Sequence, residues 1–294
     1  MRVTNAMLFD TASRDISRTS EDILKTQEML AGKKVNRPSD DPVAMSNILD
    51  LRKVLARVTQ YSRNVQSAQG YLTNAESSLS SVENTLSRLR ELAVSQSSGT
   101  ATAATRLSTA SEVNDLYDEL LAIGNTSVGG RYIFSGYKFT TVPFDSSGAY
   151  SGDNNETALF TGESNQYTYG VTGNKVFRGV GISGGVNVYQ IVDDFKTALT
   201  SNDITGIQDA IDELDDAGTQ ITNIIAQIGA RGNALGSQAD YLDSFTAELE
   251  ILVSGIEDAD ITKVATDLAL QQTTLQALLT VAARVDELNI FKFI

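Results

Sequence analysis

Hydrophobic residues recur at every seventh place from Leu51 to Ala93, namely Leu51, Val58, Val65, Leu72, Leu79, Leu86 and Ala93. They recur again three places on, at Val54, Tyr61, Ala68, Ala75, Val82 and Leu89. No proline or charge falls on this seam, and Gly70, the only glycine in the stretch, lies off it. The spacing predicts one helix of about 65 Å, at 1.5 Å per residue, with the narrow apolar stripe of a coiled coil. Such a helix cannot bury its own stripe. A partner is supplied by Ile207, Leu214, Ile221, Ile228, Leu235, Leu242, Leu249 and Ile256, again at spacing seven. Parallel or antiparallel, the two stripes can share one core.

Weaker copies of the pattern stand at both ends. Phe9, Ile16, Ile23 and Leu30 keep spacing seven, but the places three residues on hold Ala12, Thr19 and Thr26. Near the other end come Val264, Leu268, Leu275, Leu278, Ala282 and Val285, with Gln271 in one inward place. Small and hydroxylated seam positions bury little apolar area, so these helices are expected to be marginal alone and to form fully against other helices. Between the first weak seam and the long helix, Asn36, Arg37, Pro38, Ser39, Asp40 and Asp41 interrupt the period. Pro38 disfavours helix at Arg37, and Asp41 followed by Pro42 is suited to cap and restart a helix. The acidic stretch Glu257-Asp258-Ala259-Asp260 breaks the pattern a second time.

After the long helix, a helix over about Ala103 to Ile123 turns Val113, Leu116, Leu120 and Ile123 inward, making a helical hairpin. The composition then changes. Twelve of the 22 glycines and eleven of the 20 Phe and Tyr residues lie between Ser127 and Gln190, where the helical period disappears. Short strands are expected at Arg131–Phe134, Thr157–Phe160, Tyr167–Tyr169 and Asn174–Phe177, separated by turn signals such as Gly152-Asp153. Four basic and four acidic residues leave this part without a charged ligand patch. Helix resumes near Tyr189 and breaks at Ser201-Asn202-Asp203. The expected fold is therefore mainly α: a long-helix coiled-coil rod with a small Gly/Tyr-rich β insertion. Its parts are a terminal coiled-coil region (1–36 and 260–294), a central long-helix domain (37–126 and 190–259) and an outer β domain (127–189), with both termini at one end of the rod.

Composition narrows the chemistry. The formal charge of −14 repels polyanions, so neither nucleic acid nor an anionic membrane is an expected partner. With no histidine and no cysteine, the usual general base, thiolate nucleophile and soft metal ligands are missing. No run of eighteen apolar residues suits a membrane span, and the N-terminus lacks the basic and long apolar regions of a cleaved secretory signal. The carboxylate clusters at Asp40-Asp41, Asp193-Asp194, Asp212-Glu213-Asp215-Asp216 and Glu257-Asp258-Asp260 lack the spacing of a calcium loop. They read as helix starts and solvated faces. Val180-Gly181-Ile182-Ser183-Gly184-Gly185 carries no phosphate-loop lysine and reads as turn chemistry. No enzyme, metal or cofactor site is expected, and the function is sought in surfaces for other chains. The closing Leu288-Asn289-Ile290-Phe291-Lys292-Phe293-Ile294 either is an exposed apolar tail or folds onto the first helix around Met7, Leu8 and Phe9.

Met1–Met7, the segment from Gly32 to Ala44 with its Asn36-Arg37-Pro38-Ser39-Asp40-Asp41-Pro42, the Ile256–Asp260 break and the helical C-terminus resemble the flagellin superfamily of bacterial flagellar axial proteins. The proline form of the segment, with Tyr132-Ile133-Phe134-Ser135-Gly136 leading into Pro143-Phe144, is more like the members that join hook to filament than the filament subunits. A filament subunit and, further off, a cytoplasmic signalling hairpin remain the alternatives. The resemblance implies a structural role, with secretion through the flagellar type III apparatus to an extracellular place in the flagellum. It also implies a homo-oligomer in the flagellar axis, in contact with another hook-associated protein and with flagellin, and a cytoplasmic export chaperone on the C-terminal helix. The implied assembly interface is Phe9, Ile16, Ile23, Leu30, Val264, Leu268, Leu275, Leu278 and Val285. The implied chaperone contacts are Leu275, Leu278, Ala282 and Val285. Residues 1–36 and 260–294 are then expected to be disordered in the monomer and to gain helix on assembly.

Overall fold

The computed structural model describes residues 5–290, the side chains of residues 5, 6, 8, 9 and 285–290 excepted. Seven helices and four short strands follow one another among them: α1 (Asn5–Met29), α2 (Pro42–Gln96), α3 (Ala103–Gly124), β1 (Ser127–Val128), β2 (Arg131–Tyr132), β3 (Ala158–Phe160), β4 (Gln166–Thr168), α4 (Gly173–Arg178), α5 (Val188–Ser201), α6 (Ile204–Glu257) and α7 (Ile261–Ile290). The fold is mainly α, as the heptads require. The chain forms two compact units, Met1–Arg57 with Phe245–Ile294, and Val58–Ser244; the division falls inside α2 and α6.

In the unit of residues 58–244, the α2 seam is buried from Val58 through Val65, Leu72, Leu79 and Leu86 to Ala93. The α6 seam is buried from Ile207 through Ile221 and Ile228 to Leu242. Arg90 of α2 pairs with Asp215 of α6, and the Thr222 hydroxyl of α6 donates to Glu83 of α2 at 3.2 Å. One number falls by seven as the other rises by seven, so the helices run antiparallel. α2 ends at Gln96, and Thr102 caps α3 in a reciprocal box with Thr105. α3 packs against α5 and is tied to α2 by Arg88 and Glu112 at 2.7 Å.

The segment between α3 and α5 holds its own aromatic core. Phe134, Phe144, Phe177 and Tyr189 are all at most 2% exposed. Their rings meet at centroid distances of 4.9 to 5.4 Å, mostly edge to face or tilted, with Phe177 and Tyr189 stacked. β1 and β2 form a hairpin with Val128 opposite Arg131. Its turn, Gly129-Gly130, has both φ angles positive, at 59° and 76°, as a primed turn demands. β3 pairs antiparallel with β4, Leu159 opposite Tyr167.

Two expectations are corrected here. Arg131–Phe134 is not a continuous strand: pairing ends at Tyr132, and Ile133 and Phe134 turn inward as core residues. Asn174–Phe177 is not a strand at all but lies within helix α4. Six residues are too few for helical periodicity to register, and Val-Phe reads as β in isolation. Tertiary packing decides otherwise, because one helical turn places both Val176 and Phe177 in the core at 0% exposure. Gly179, left-handed at φ 64°, stops the helix.

Candidate assembly surface

Within the unit of residues 1–57 and 245–294, α1 packs on α7. The bridge Lys33↔Asp258 sets the end of α1 beside the start of α7, so the pair is antiparallel. The inward line of α7 is the one its spacing foretells: Val264 is buried, and Leu268, Gln271, Leu275, Leu278 and Ala282 are half-buried while their neighbours are exposed. On α1, Ile23 and Thr26 are buried, Ile16 is half-buried and Leu30 is 38% exposed. Phe9 and Val285 lie outside the described side chains.

This seam is thin for a physical reason. The hydroxyls of Thr19 and Thr26, which take inward places on α1, each donate to the carbonyl four residues back in their own helix. They tie nothing across the pair. Gln271 leaves its buried Oε1 without a hydrogen-bond partner. Such an orphaned acceptor costs about 1–3 kcal/mol, a large charge against a pair with so little apolar area.

The outer surface of α7 is unlike that of a solvated helix. Leu268 to Ala283 contains no charged residue, and Leu270, Leu279 and Val281 are 66%, 51% and 55% exposed. Met7 and Leu24 of α1 are similarly bare at 61% and 62%. Of the sequence-derived interface residues, Ile16, Ile23, Val264, Leu268, Leu275 and Leu278 therefore lie on the covered faces of the helix pair, and a different set faces outward. Several large apolar side chains exposed together on an uncharged stretch mark a surface suited to another chain.

The motif loop between α1 and α2 is built from two aspartates. Asp40 Oδ2 accepts the amides of Arg37 at 2.8 Å and Asn36 at 3.1 Å. The Arg37 amide, above all, holds the Asp40 carboxyl below its ordinary value. Asp41 Oδ1 accepts from Val43 and Ala44 at 3.0 and 2.9 Å, capping α2 just before Pro42. Arg37 reaches back to Glu28 of α1 at 3.0 Å, while Pro38 and Ser39 are exposed at the turn.

Glu257, grouped in sequence with acids expected at helix starts and solvated faces, is instead buried and closes this loop. The last residue of α6, it is 6% exposed. Its carboxylate pairs with Lys33 from the loop and accepts from Arg52 Nη2 of α2 at 2.7 and 2.8 Å. Its carbonyl accepts the Lys34 amide at 2.8 Å and, more weakly, that of Val35 at 3.4 Å. Lys34 Nζ donates to the Gly255 carbonyl at 2.8 Å, and Ala259 N donates to Gly32 O at 2.9 Å. The Lys33 ammonium, opposed by burial and joined by Arg52, holds the Glu257 carboxyl below its ordinary range. In sequence it is one acid among several at a helix end; only the return of the chain brings Lys33 to it. Among the described residues no group of three or more carboxylates converges as a metal site, and no helix is long and apolar enough to cross a membrane.

The terminal helices match known proteins directly. Residues 3–139 match the model of the bacterial flagellin N-terminal helical region, and residues 211–294 that of the C-terminal helical region. The chain belongs to the flagellin superfamily. Within that superfamily it is similar along nearly its whole length to flagellar hook-associated protein 3 of Escherichia coli K12, 28% identical over 99% of each chain. The corresponding protein of Salmonella typhimurium LT2 is 26% identical over 94% of each. Among solved structures, flagellar hook-associated protein-3 of Legionella pneumophila superposes with a TM-score of 0.63 at 16% identity, covering 71% of this chain and 98% of that one. FlgL of Xanthomonas campestris gives 0.62 at 17%, covering 69% and 99%. These superpositions show the shared fold. This flagellin-superfamily member is thus a structural, non-enzymatic component of the flagellum, and Asn36–Asp41 and the two terminal seams fall within the matched regions.

Proposed function

We propose that the chain joins the flagellar hook to the filament, assembling along the flagellar axis through α1 and α7. The observation that carries this is the uncharged, outward apolar surface of α7, on a chain whose end-to-end similarity is to hook-associated protein 3. In the assembly, Met7, Leu24, Leu270, Leu279 and Val281 meet neighbouring subunits. Phe9, Ile16, Ile23, Leu30, Val264, Leu268, Leu275, Leu278 and Val285 hold the helix pair together or change partners as it inserts. The division of labour is threefold: residues 1–36 and 260–294 assemble, 37–126 with 190–259 form the shell, and 127–189 face outward.

The partners in this reading are further copies of the chain, another hook-associated protein, flagellin, and an export chaperone. The chaperone takes Leu275, Leu278, Ala282 and Val285. The first three face α1, so the chaperone would engage α7 only with the helix pair open, and the thin seam makes opening cheap. The product works outside the cell, in the flagellum.

A second reading, a filament subunit, is favoured by the flagellin-type terminal regions alone. Electron microscopy of the purified protein separates the two. With added flagellin it should occupy filament ends, and alone it should form no long filaments. Long homopolymers would overturn the junction reading in favour of a filament subunit.

A further inference from the structure

We infer that Glu257 is a positioning residue, an ion-pair lock at the root of the terminal helices that holds the loop after α1 to the end of α6 whether or not the α1–α7 pair is formed. Three independent strands of geometry meet there. The carboxylate is buried while its two cations come from separate segments, Lys33 from the loop and Arg52 from α2. The same residue's carbonyl receives loop amides, so side chain and main chain act on one junction. Lys34, next in sequence to Lys33, donates its ammonium to the Gly255 carbonyl at the C-terminus of α6, where the exposed end carbonyls favour a cation. Glu250 and Asp258 line the same 240 Å³ recess, so among the described residues Lys33, Lys34 and Arg52 are the cations, and Glu250 and Asp258 the other acids, facing the lock.

The consequence is a division of stability. The root is held by charge-assisted bonds to a buried group, whereas the helices beyond it rest on a thin seam with an unpartnered Gln271 acceptor. A fixed root lets the pair open and re-form in one register without the loop being lost. This does not depend on which flagellar position the chain takes.

The experiment is hydrogen exchange on the full-length monomer of the wild type and of Glu257→Gln, Lys33→Gln and the double variant. In the wild type the Lys34 amide, which donates to the Glu257 carbonyl at 2.8 Å, should be protected. In Glu257→Gln, which keeps the carbonyl that accepts it, that amide should exchange about tenfold faster; the half-exposed cations keep the effect moderate. The double variant should exchange no faster than Glu257→Gln alone, because both changes remove one interaction. Amides at Val65 and Leu79 serve as the folding control and should not change. As pH falls below 4.5, the ordinary glutamate value, toward the depressed pKa of the folded state, protection at Lys34 corrected for intrinsic exchange should fall in the wild type and not in Glu257→Gln. An unprotected Lys34 amide in the wild type, unchanged exchange in Glu257→Gln, additive single effects, or faster exchange spread equally to Val65 and Leu79 would each overturn the lock.

Discussion

Single residues in this chain owe their roles to the backbone positions they occupy. Gly179 ends α4 with φ 64°, and an added Cβ would lie 2.4 Å from the Gly185 carbonyl carbon and 2.5 Å from the Val186 nitrogen. Backbone cannot retreat as a flexible side chain can. Gly179→Ala should therefore destabilise the unit of residues 58–244 by more than about 1–2 kcal/mol, the sum of left-handed strain and a main-chain clash. Chemical denaturation followed by near-ultraviolet dichroism of the aromatic cluster would register it. Legibility differs sharply between such residues. Asp41 was readable as a cap from its place before Pro42, because capping is a local matter. Glu257 was not, because its partners Lys33 and Arg52 lie more than 200 positions away. The β1–β2 hairpin at Gly129-Gly130 is not among the expected elements, because its strands are only two residues each.

At the scale of elements, strength of pattern tracks burial. The seams of α2 and α6 put a large apolar side chain at nearly every inward place, and these are 0–4% exposed from Val58 to Ala93 with Tyr61 excepted. The seams of α1 and α7 put Ala, Thr and Gln there, and only Ile23, Thr26 and Val264 among their described residues are buried. Element length decides whether such a pattern can be read at all. Helices of 55 and 54 residues repeat their period many times, whereas the six residues of α4 are too few to show one and their Val-Phe reads as β. Leu275→Asp or Leu278→Asp would put a charge against α1. The expected outcome is a monomer whose 58–244 unit melts as in the wild type but which no longer attaches to filament ends, checked by calorimetry and by the electron-microscopic assay. Normal attachment would count against a role for the α7 seam.

For the whole molecule, charge and stability are both unevenly shared. Residues 58–244 carry 21 acidic and 10 basic residues, while residues 1–57 with 245–294 carry 16 and 13. The part proposed to meet other copies is close to neutral, so its association meets little long-range repulsion. In the monomer, amides from Ile16 to Leu30 and from Thr266 to Arg284 should exchange much faster than those from Val65 to Ala93 and become protected on assembly. The Glu257 junction sharpens where that change occurs: the Lys34 amide stays slow, so the boundary falls near Gly32 rather than at residue 36. Slow exchange at Ile16 to Leu30 in the free monomer would refute the picture.

The sequence by itself determined the helices, their breaks and their relative strength, because heptad spacing, caps and the distribution of glycine are properties of neighbours along the chain. It also excluded the commonest catalytic chemistries, since histidine and cysteine are absent. Tertiary structure alone decided that α2 and α6 run antiparallel, that Phe177 belongs to a helix, that Glu257 is buried between two cations, and that the apolar side chains facing outward on α7 are Leu270, Leu279 and Val281 rather than the seam itself. Each of these depends on which distant segment packs against which face, and a period along one helix says how wide its stripe is without saying what will cover it.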